Sequence, residues 1–455
     1  MMLLKSRQIV VALGWASAFW ILTGPSGSSV LPPGIYWFDL LSVVLLFIFL
    51  SCFIVRPTFR KTQAKLMIVG FSLYLVLVLT IPLIGIGFFA MPMEWYWGDL
   101  RWVQVVLIGI ALWWGYSSET IKQPERHFRF FLALLVCWQL PFVVAQVSYE
   151  YLRLPPASFL ELYYPEGISG YGVYGAWGGR YSGAMHLPSA LGMVGGVGLL
   201  FFGIRILRAG YWSDWLLVAV SLAVVMASGT RTTIFGAGGA LLLIWIGYIY
   251  CRSALKMRLL WQFIVALPAA LLFIAIMFEF NIGRIATSDR YYEIFGWIIG
   301  EYSFEFVAGG RGGAMWSEPL SVAFTDYSPL GTLVNASHSV GFIDSYFLFL
   351  LAQAGPFILV PFICLVFILL VSGATAIMQD RPPPTLPEVV LSVAIVLAFS
   401  SFTQNTLTGM PGRMLLVLAV LSCALLYRRH LNNQGAHQRF SGGVVGDRAI
   451  DLEGR

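Results

Sequence analysis

Apolar runs of roughly 17–25 residues recur along this chain, and each is long enough to cross a bilayer as a helix. Backbone placed in hydrocarbon must satisfy its own N–H and C=O groups, so such runs fold as helices. Across 455 residues, 58% are hydrophobic and only 11% are charged. A soluble domain carries about a quarter charged residues. The deficit excludes a soluble enzyme, a disordered protein and a coiled coil. The fold class expected is an all-α polytopic membrane protein with about twelve transmembrane helices. The predicted spans lie near 8–24, 35–55, 66–90, 101–116, 128–148, 187–207, 211–229, 233–251, 259–278, 344–372, 387–404 and 412–427.

Lysine and arginine between the spans set the orientation, because they concentrate on the cytoplasmic side. With both termini included, 20 of the 28 basic residues fall on one set of alternate loops. That side is cytoplasmic, so both ends of the chain are expected there. The expected location is a bacterial inner membrane, crossed many times. The net charge of +6 then reflects topology, and no nucleic-acid partner is implied. All five lysines sit on the cytoplasmic side, whereas the eight basic residues on the outer side are all arginine: Arg101, Arg153, Arg180, Arg231, Arg284, Arg290, Arg311 and Arg413. Arginine differs from lysine in its planar fork, which grips phosphate or carboxylate bidentately. Arg101 and Arg413, at span edges, also fit simple snorkelling to the interface.

Two long outer segments interrupt the spans, about 149–186 and about 279–343. The first has seven glycines between Gly167 and Gly183, interleaved with Tyr171, Tyr174, Trp177 and Tyr181. The second is too long for a mere connector and contains Gly-Gly-Arg-Gly-Gly at 309–313, Trp316 and His338. Aromatic faces stack on sugar rings, and they also anchor helices at the interface. The transmembrane domain is expected over residues 1–429, and the polar stretch 430–455 reads as a disordered cytoplasmic tail. The five cysteines all fall within apolar runs, without metal-ligand spacing. No obligatory metal or other cofactor is expected.

Charges inside the bilayer default to function, and few are apparent. Asp39, Asp214 and Glu388 lie near span ends, where water is expected to reach them. That argues against ion-coupled transport. Arg231 occurs in Ser-Gly-Thr-Arg-Thr-Thr at 228–233, immediately before an apolar run. It is therefore placed at an outer helix N-terminus, where free N–H groups and the dipole favour an anion. The alternative is a capping turn with Ser228 or Thr230 as N-cap. Arg311 and Arg180 are flanked by glycines, which lets backbone and guanidinium approach one anion. His186 and His338, the latter some residues before Asp344, are the outer histidines, and either is a candidate to accept a proton from an attacking hydroxyl.

At these residues the sequence resembles the O-antigen ligase and Wzy-type polysaccharide polymerase superfamily, over roughly residues 170–370. Gly-Arg-Tyr-Ser-Gly at 179–183, followed by Pro188 and Leu191-Gly192, resembles a family segment leading into a central span. Ser-Gly-Thr-Arg at 228–231 is similar to its Ser-x-Ser-Arg or Ser-Gly-x-Arg signature. Arg311, Trp316 and Pro329-Leu-Gly331 resemble its outer-loop stretch. The segment from Asp344 and Tyr346 to Gly355 resembles its entry to a late span. Ligases commonly begin that segment with His-Asn. Asp344-Ser345 stands here, which leaves the base open between His338 and Asp344 and tilts the reading toward polymerase.

The resemblance implies a GT-C-type glycosyltransferase using polyprenyl-diphosphate-linked oligosaccharide at the periplasmic face. Arg231 and Arg311 would neutralise the leaving diphosphate, with His338 or Asp344 at the acceptor hydroxyl. Arg180, Arg290, Tyr181, Trp316 and Tyr346 would bind substrate. The expected product is an exopolysaccharide or O-antigen, with a flippase and chain-length or export proteins as partners. The alternatives are a ligase passing finished glycan to a lipid or protein acceptor, and a transporter or flippase of lipid-linked sugars.

Overall fold

A computed structural model of the chain describes residues 2–24, 65–89, 97–116, 123–152, 181–185, 187–209, 211–251, 300, 345–379, 385–404, 407 and 409–446. The predicted spans 35–55 and 259–278 lie outside the described residues. Those described are helical, without a strand among them. The helices are α1 (Met2–Thr23), α2 (Lys65–Phe89), α3 (Trp97–Tyr116), α4 (Pro124–Leu152), α5 (Pro188–Ala209) and α6 (Trp212–Ser228). They continue with α7 (Arg231–Cys251), α8 (Tyr346–Ala354), α9 (Pro356–Met378), α10 (Leu386–Thr403) and α11 (Met410–Gly446).

Five of these helices contain stretches long and apolar enough to cross a membrane: Met67–Phe88, Pro124–Ser148, Pro188–Arg208, Pro356–Met378 and Met410–Arg428. Shorter apolar stretches run over Arg7–Thr23, Trp212–Ser228, Thr232–Tyr248 and Leu386–Phe402. The helices are graded by position. The apolar stretch of α5 is buried on all sides by protein and that of α11 nearly so, whereas α2 and α9 leave most of theirs uncovered. Val69, Val76, Phe88, Phe357 and Phe367 all point outward there. Large apolar side chains on the outer face of a bundle suit hydrocarbon, which exerts no force to bury them. α10 packs against α5, α7, α9 and α11 and forms the hub.

Glycine sets how closely helices approach. A Cβ on Gly373 of α9 would lie 2.8 Å from the backbone nitrogen of Leu391 on α10, and one on Gly195 of α5 would lie 3.0 Å from that of Val225 on α6. Small residues at such crossings let backbones pack where no hydrophobic effect drives association.

The chain departs from expectation between 344 and 372, read above as one span. Tyr346 and Phe362 are sixteen positions apart, which on a straight helix means about 24 Å, yet their rings are 5.2 Å apart. The chain reverses at Gly355, with φ +61° and ψ −153°, a region essentially reserved for glycine. α8 is thus a short helix folded back along α9. The physical reason is local: Gly355 stops α8, and Pro356 starts α9 at the position where a missing N–H costs nothing. The last helix also continues to Gly446, through the stretch read as an unstructured tail. Extending an existing helix costs far less than nucleating one.

Candidate functional site

The segment 181–185 and the α6–α7 turn form one hydrogen-bonded junction at one end of the bundle. α6 stops at Gly229, whose φ of +59° is left-handed, and its N–H donates to the Met226 carbonyl at 3.0 Å. Two residues later α7 begins at Arg231. Ser228 Oγ donates to the Val225 carbonyl at 2.6 Å and accepts from the Thr230 N–H at 3.2 Å. Thr230 Oγ1 approaches the Pro188 carbonyl at 3.3 Å, which ties the turn to the start of α5. The Tyr181 N–H donates to the Ala227 carbonyl at 3.0 Å. Tyr181 of Gly-Arg-Tyr-Ser-Gly is therefore tied through backbone to Ala227, the residue before Ser-Gly-Thr-Arg, and Thr230 to Pro188, 42 positions away.

Two glutamines of α4 hold the segment from the other side. Gln146 donates to the Gly183 carbonyl and accepts from its N–H, both at 3.1 Å. Gln139 Oε1 accepts from the Ala184 N–H at 2.9 Å. Gln139, Gln146, Ser182, Ser228 and Thr230 are all buried, and a buried polar set of this kind fixes a unique geometry when its members are paired. Gly192 is indispensable to it: a Cβ there would lie 2.6 Å from Thr230 Oγ1. Sequence reasoning did not single out the two glutamines. Their signal was a polar residue seven positions from another within one apolar run, which puts both on one helix face.

Of the residues expected to act, Arg231 opens α7 as predicted, though its side chain lies outside the described residues. Thr230 supplies its carbonyl to the Ile234 N–H at 3.2 Å, the backbone role of an N-cap. Arg180 is bonded directly to Tyr181. Its own structure, with that of His186, Arg290, Arg311, Trp316, His338 and Asp344, lies outside the described residues. Tyr181 and Tyr346 are described and both are buried. Tyr346 hydrogen-bonds the hydroxyl of Tyr74, and its ring stacks near Phe349. The start of α8 is occupied by protein: Tyr346 N–H donates to the Gln404 carbonyl at 3.2 Å, and Ser345 Oγ donates to the Ser401 carbonyl at 3.1 Å.

The charged residues differ most from expectation. Arg413 does not snorkel. It is buried, its Nε donates to the Leu407 carbonyl at 2.6 Å, its Nη2 lies 3.7 Å from Asp99 Oδ1, and it sits over the Trp102 ring. Nor does water reach Asp214 and Glu388, whose side chains are fully enclosed. Asp214 accepts from Arg129 at 2.9 Å and from Arg205 Nε at 3.2 Å. Arg208 donates to Glu388 at 2.6 Å, and Arg205 Nη1 donates to Thr385 Oγ1 at 2.7 Å. Each carboxylate meets a guanidinium from another helix, which offsets part of the cost of leaving water. Among the described residues, no group of three or more His, Cys, Asp or Glu is placed to hold a metal ion. No protein-family model and no curated protein matches this chain.

Proposed function

We propose that the chain is a glycosyltransferase that polymerises polyprenyl-diphosphate-linked oligosaccharide repeat units into an exopolysaccharide or O-antigen at the periplasmic face. The observation that carries the reading is the Tyr181–Ala227 backbone hydrogen bond. It ties Tyr181, the residue after Arg180 in sequence, to the end of α6, two residues before the turn from which Arg231 opens α7. Two guanidiniums beside a helix N-terminus suit a diphosphate. Their positive charge would stabilise that group as it leaves with the broken anomeric C–O bond. Arg311 would complete the cradle. His338 or Asp344 would take the proton from the acceptor hydroxyl, and Arg290 and Trp316 would contact the glycan. Tyr181 and Tyr346, both buried, would act by holding backbone in place. The spans would form a GT-C-like scaffold, twelve in number, admitting the polyprenyl tail from the membrane.

Arg231→Lys keeps the charge and loses the fork, so polymer should fall at least tenfold while membrane insertion is unchanged. Near-normal polymer would remove the bidentate-diphosphate argument. In a deletion strain, single lipid-linked units should accumulate on the outer side. Full-length polymer still on its carrier would instead mark a ligase. A transporter or flippase gains one observation, the buried charged groups Asp99, Asp214 and Glu388, because intramembrane carboxylates often mark transport paths. Here each has an arginine partner. Single units trapped on the cytoplasmic side would establish transport.

A further inference from the structure

α1 and α4 run parallel, as their ring contacts show: Trp15 meets Phe128, and Phe19, about one turn farther along α1, meets Trp138, roughly three turns farther along α4. Between them lies an open groove of about 850 Å³. Its walls extend from Gln8 to Phe19 on one helix and from Gln123 to Leu134 on the other. Eleven helical steps are about 16 Å, close to half of a hydrocarbon core about 30 Å thick. The groove is therefore one leaflet long.

Its lining is graded along that length. Gln8, Gln123 and His127 lie at one end, and Phe19, Phe131 and Leu134 at the other. Trp15 Nε1 donates to the Tyr116 hydroxyl at 2.6 Å, and that hydroxyl lies 2.8 Å from His127 Nδ1. The indole can only donate, so the Tyr116 hydroxyl accepts from it, and a second hydrogen bond joins that hydroxyl to the His127 ring. His127 is thereby held in place at the polar end of the groove. The same end is net basic, although Glu125 stands close enough to act on Tyr116. Arg126 is exposed, Arg7 lies over the Trp114 ring, and Arg428 donates to the Tyr116 carbonyl at 3.0 Å. Lys5 and Lys122 are close in sequence. Among the described residues, no carboxylate lines the groove.

We infer that this groove is a binding site for an anionic glycerophospholipid, with its phosphate at Gln8, Gln123 and His127 and one acyl chain along Trp15, Phe19 and Phe131. Length, graded polarity and positive charge at the polar end all fit a single-leaflet amphiphile that carries negative charge. A zwitterionic lipid would match the length and not the charge. The site shares no residue with the Tyr181–Ala227 junction.

The test uses the full chain, purified in mild detergent and offered phosphatidylglycerol or phosphatidylethanolamine, with retained lipid read by native mass spectrometry. Wild type should retain one phosphatidylglycerol at least tenfold better than phosphatidylethanolamine. Ala16→Phe fills the groove from an exposed position and should lose that lipid. Ala12→Phe, one turn away on the same wall, should do the same, and guards against misfolding of the first variant. Arg126→Gln should keep a bound lipid and lower the preference several-fold. Equal retention of the two lipids by wild type would overturn the inference. So would undiminished retention in both folded phenylalanine variants, or a polyprenyl phosphate as the retained molecule.

Discussion

Asp214 sits between two guanidiniums, Arg205 fully buried and Arg129 partly exposed. Asp214→Asn would leave Arg205 enclosed with its nearest countercharge gone. Breaking a buried pair from one side costs about 3–5 kcal/mol, so the thermal midpoint in detergent should fall by several degrees. Replacing Arg205 by Met in the same chain should restore much of the loss, because the one guanidinium left without Asp214, that of Arg129, is partly exposed to water. A midpoint unmoved by Asp214→Asn would mean water already reaches the site. Nothing local in the sequence announced this pairing. Asp214 stands nine residues from Arg205 across a turn, and Arg208 lies 180 residues from Glu388. A positive-inside count treats all of these arginines as topology signals. Arg231 was legible because its placement depends on neighbours within one turn: Gly229 ends α6, and an apolar run begins immediately afterward.

The α8–α9 hairpin depends on a single residue conformation. Gly355→Ala forces a side chain into a backbone region costing about 1–3 kcal/mol, and the thermal midpoint should drop accordingly. An unchanged midpoint would place the reversal elsewhere in the segment. Hydropathy could not reveal this hairpin, since both arms are apolar and the sum reads as one long span. Only the Gly355-Pro356 pair marks the break, and such pairs also occur within kinked helices. The helix ends around Ser228 and Gly229 were legible for the opposite reason, because capping chemistry is local. The Gln139 and Gln146 bonds to 183–184 were not, because they join elements 45 and 37 positions apart.

Across the whole molecule, opposite ends carry different chemistry. One end has Arg129, Arg205, Arg208, Asp214 and Glu388, and the other has the Tyr181–Ala227 junction. The loop arginines and lysines predict that the first end faces the cytoplasm. In a cysteine-free chain, Cys at Trp212, which is 89% exposed, should be labelled by an impermeant maleimide only after the membrane is opened. Cys at Leu187, 47% exposed, should be labelled in intact cells. The reverse pattern would invert the orientation and remove a periplasmic site for Arg231. The all-helical class and most helix positions were readable from hydropathy, because backbone satisfaction in hydrocarbon leaves few alternatives. The depth of each helix in the bundle was not, since α5 and α2 both carry an apolar stretch of spanning length and only one is central.

The central position of α5 has a consequence for how the chain is made. Arg208 reaches Glu388 only after 180 further residues exist. At about 5–20 residues per second, that interval is roughly 9–36 seconds. During it α5 has neither its hub helix nor a counterion for Arg208 on α10. A nascent chain arrested before residue 388 should accordingly be a preferred substrate for membrane quality-control proteases. One arrested after α11 should survive, with the same arginine now enclosed.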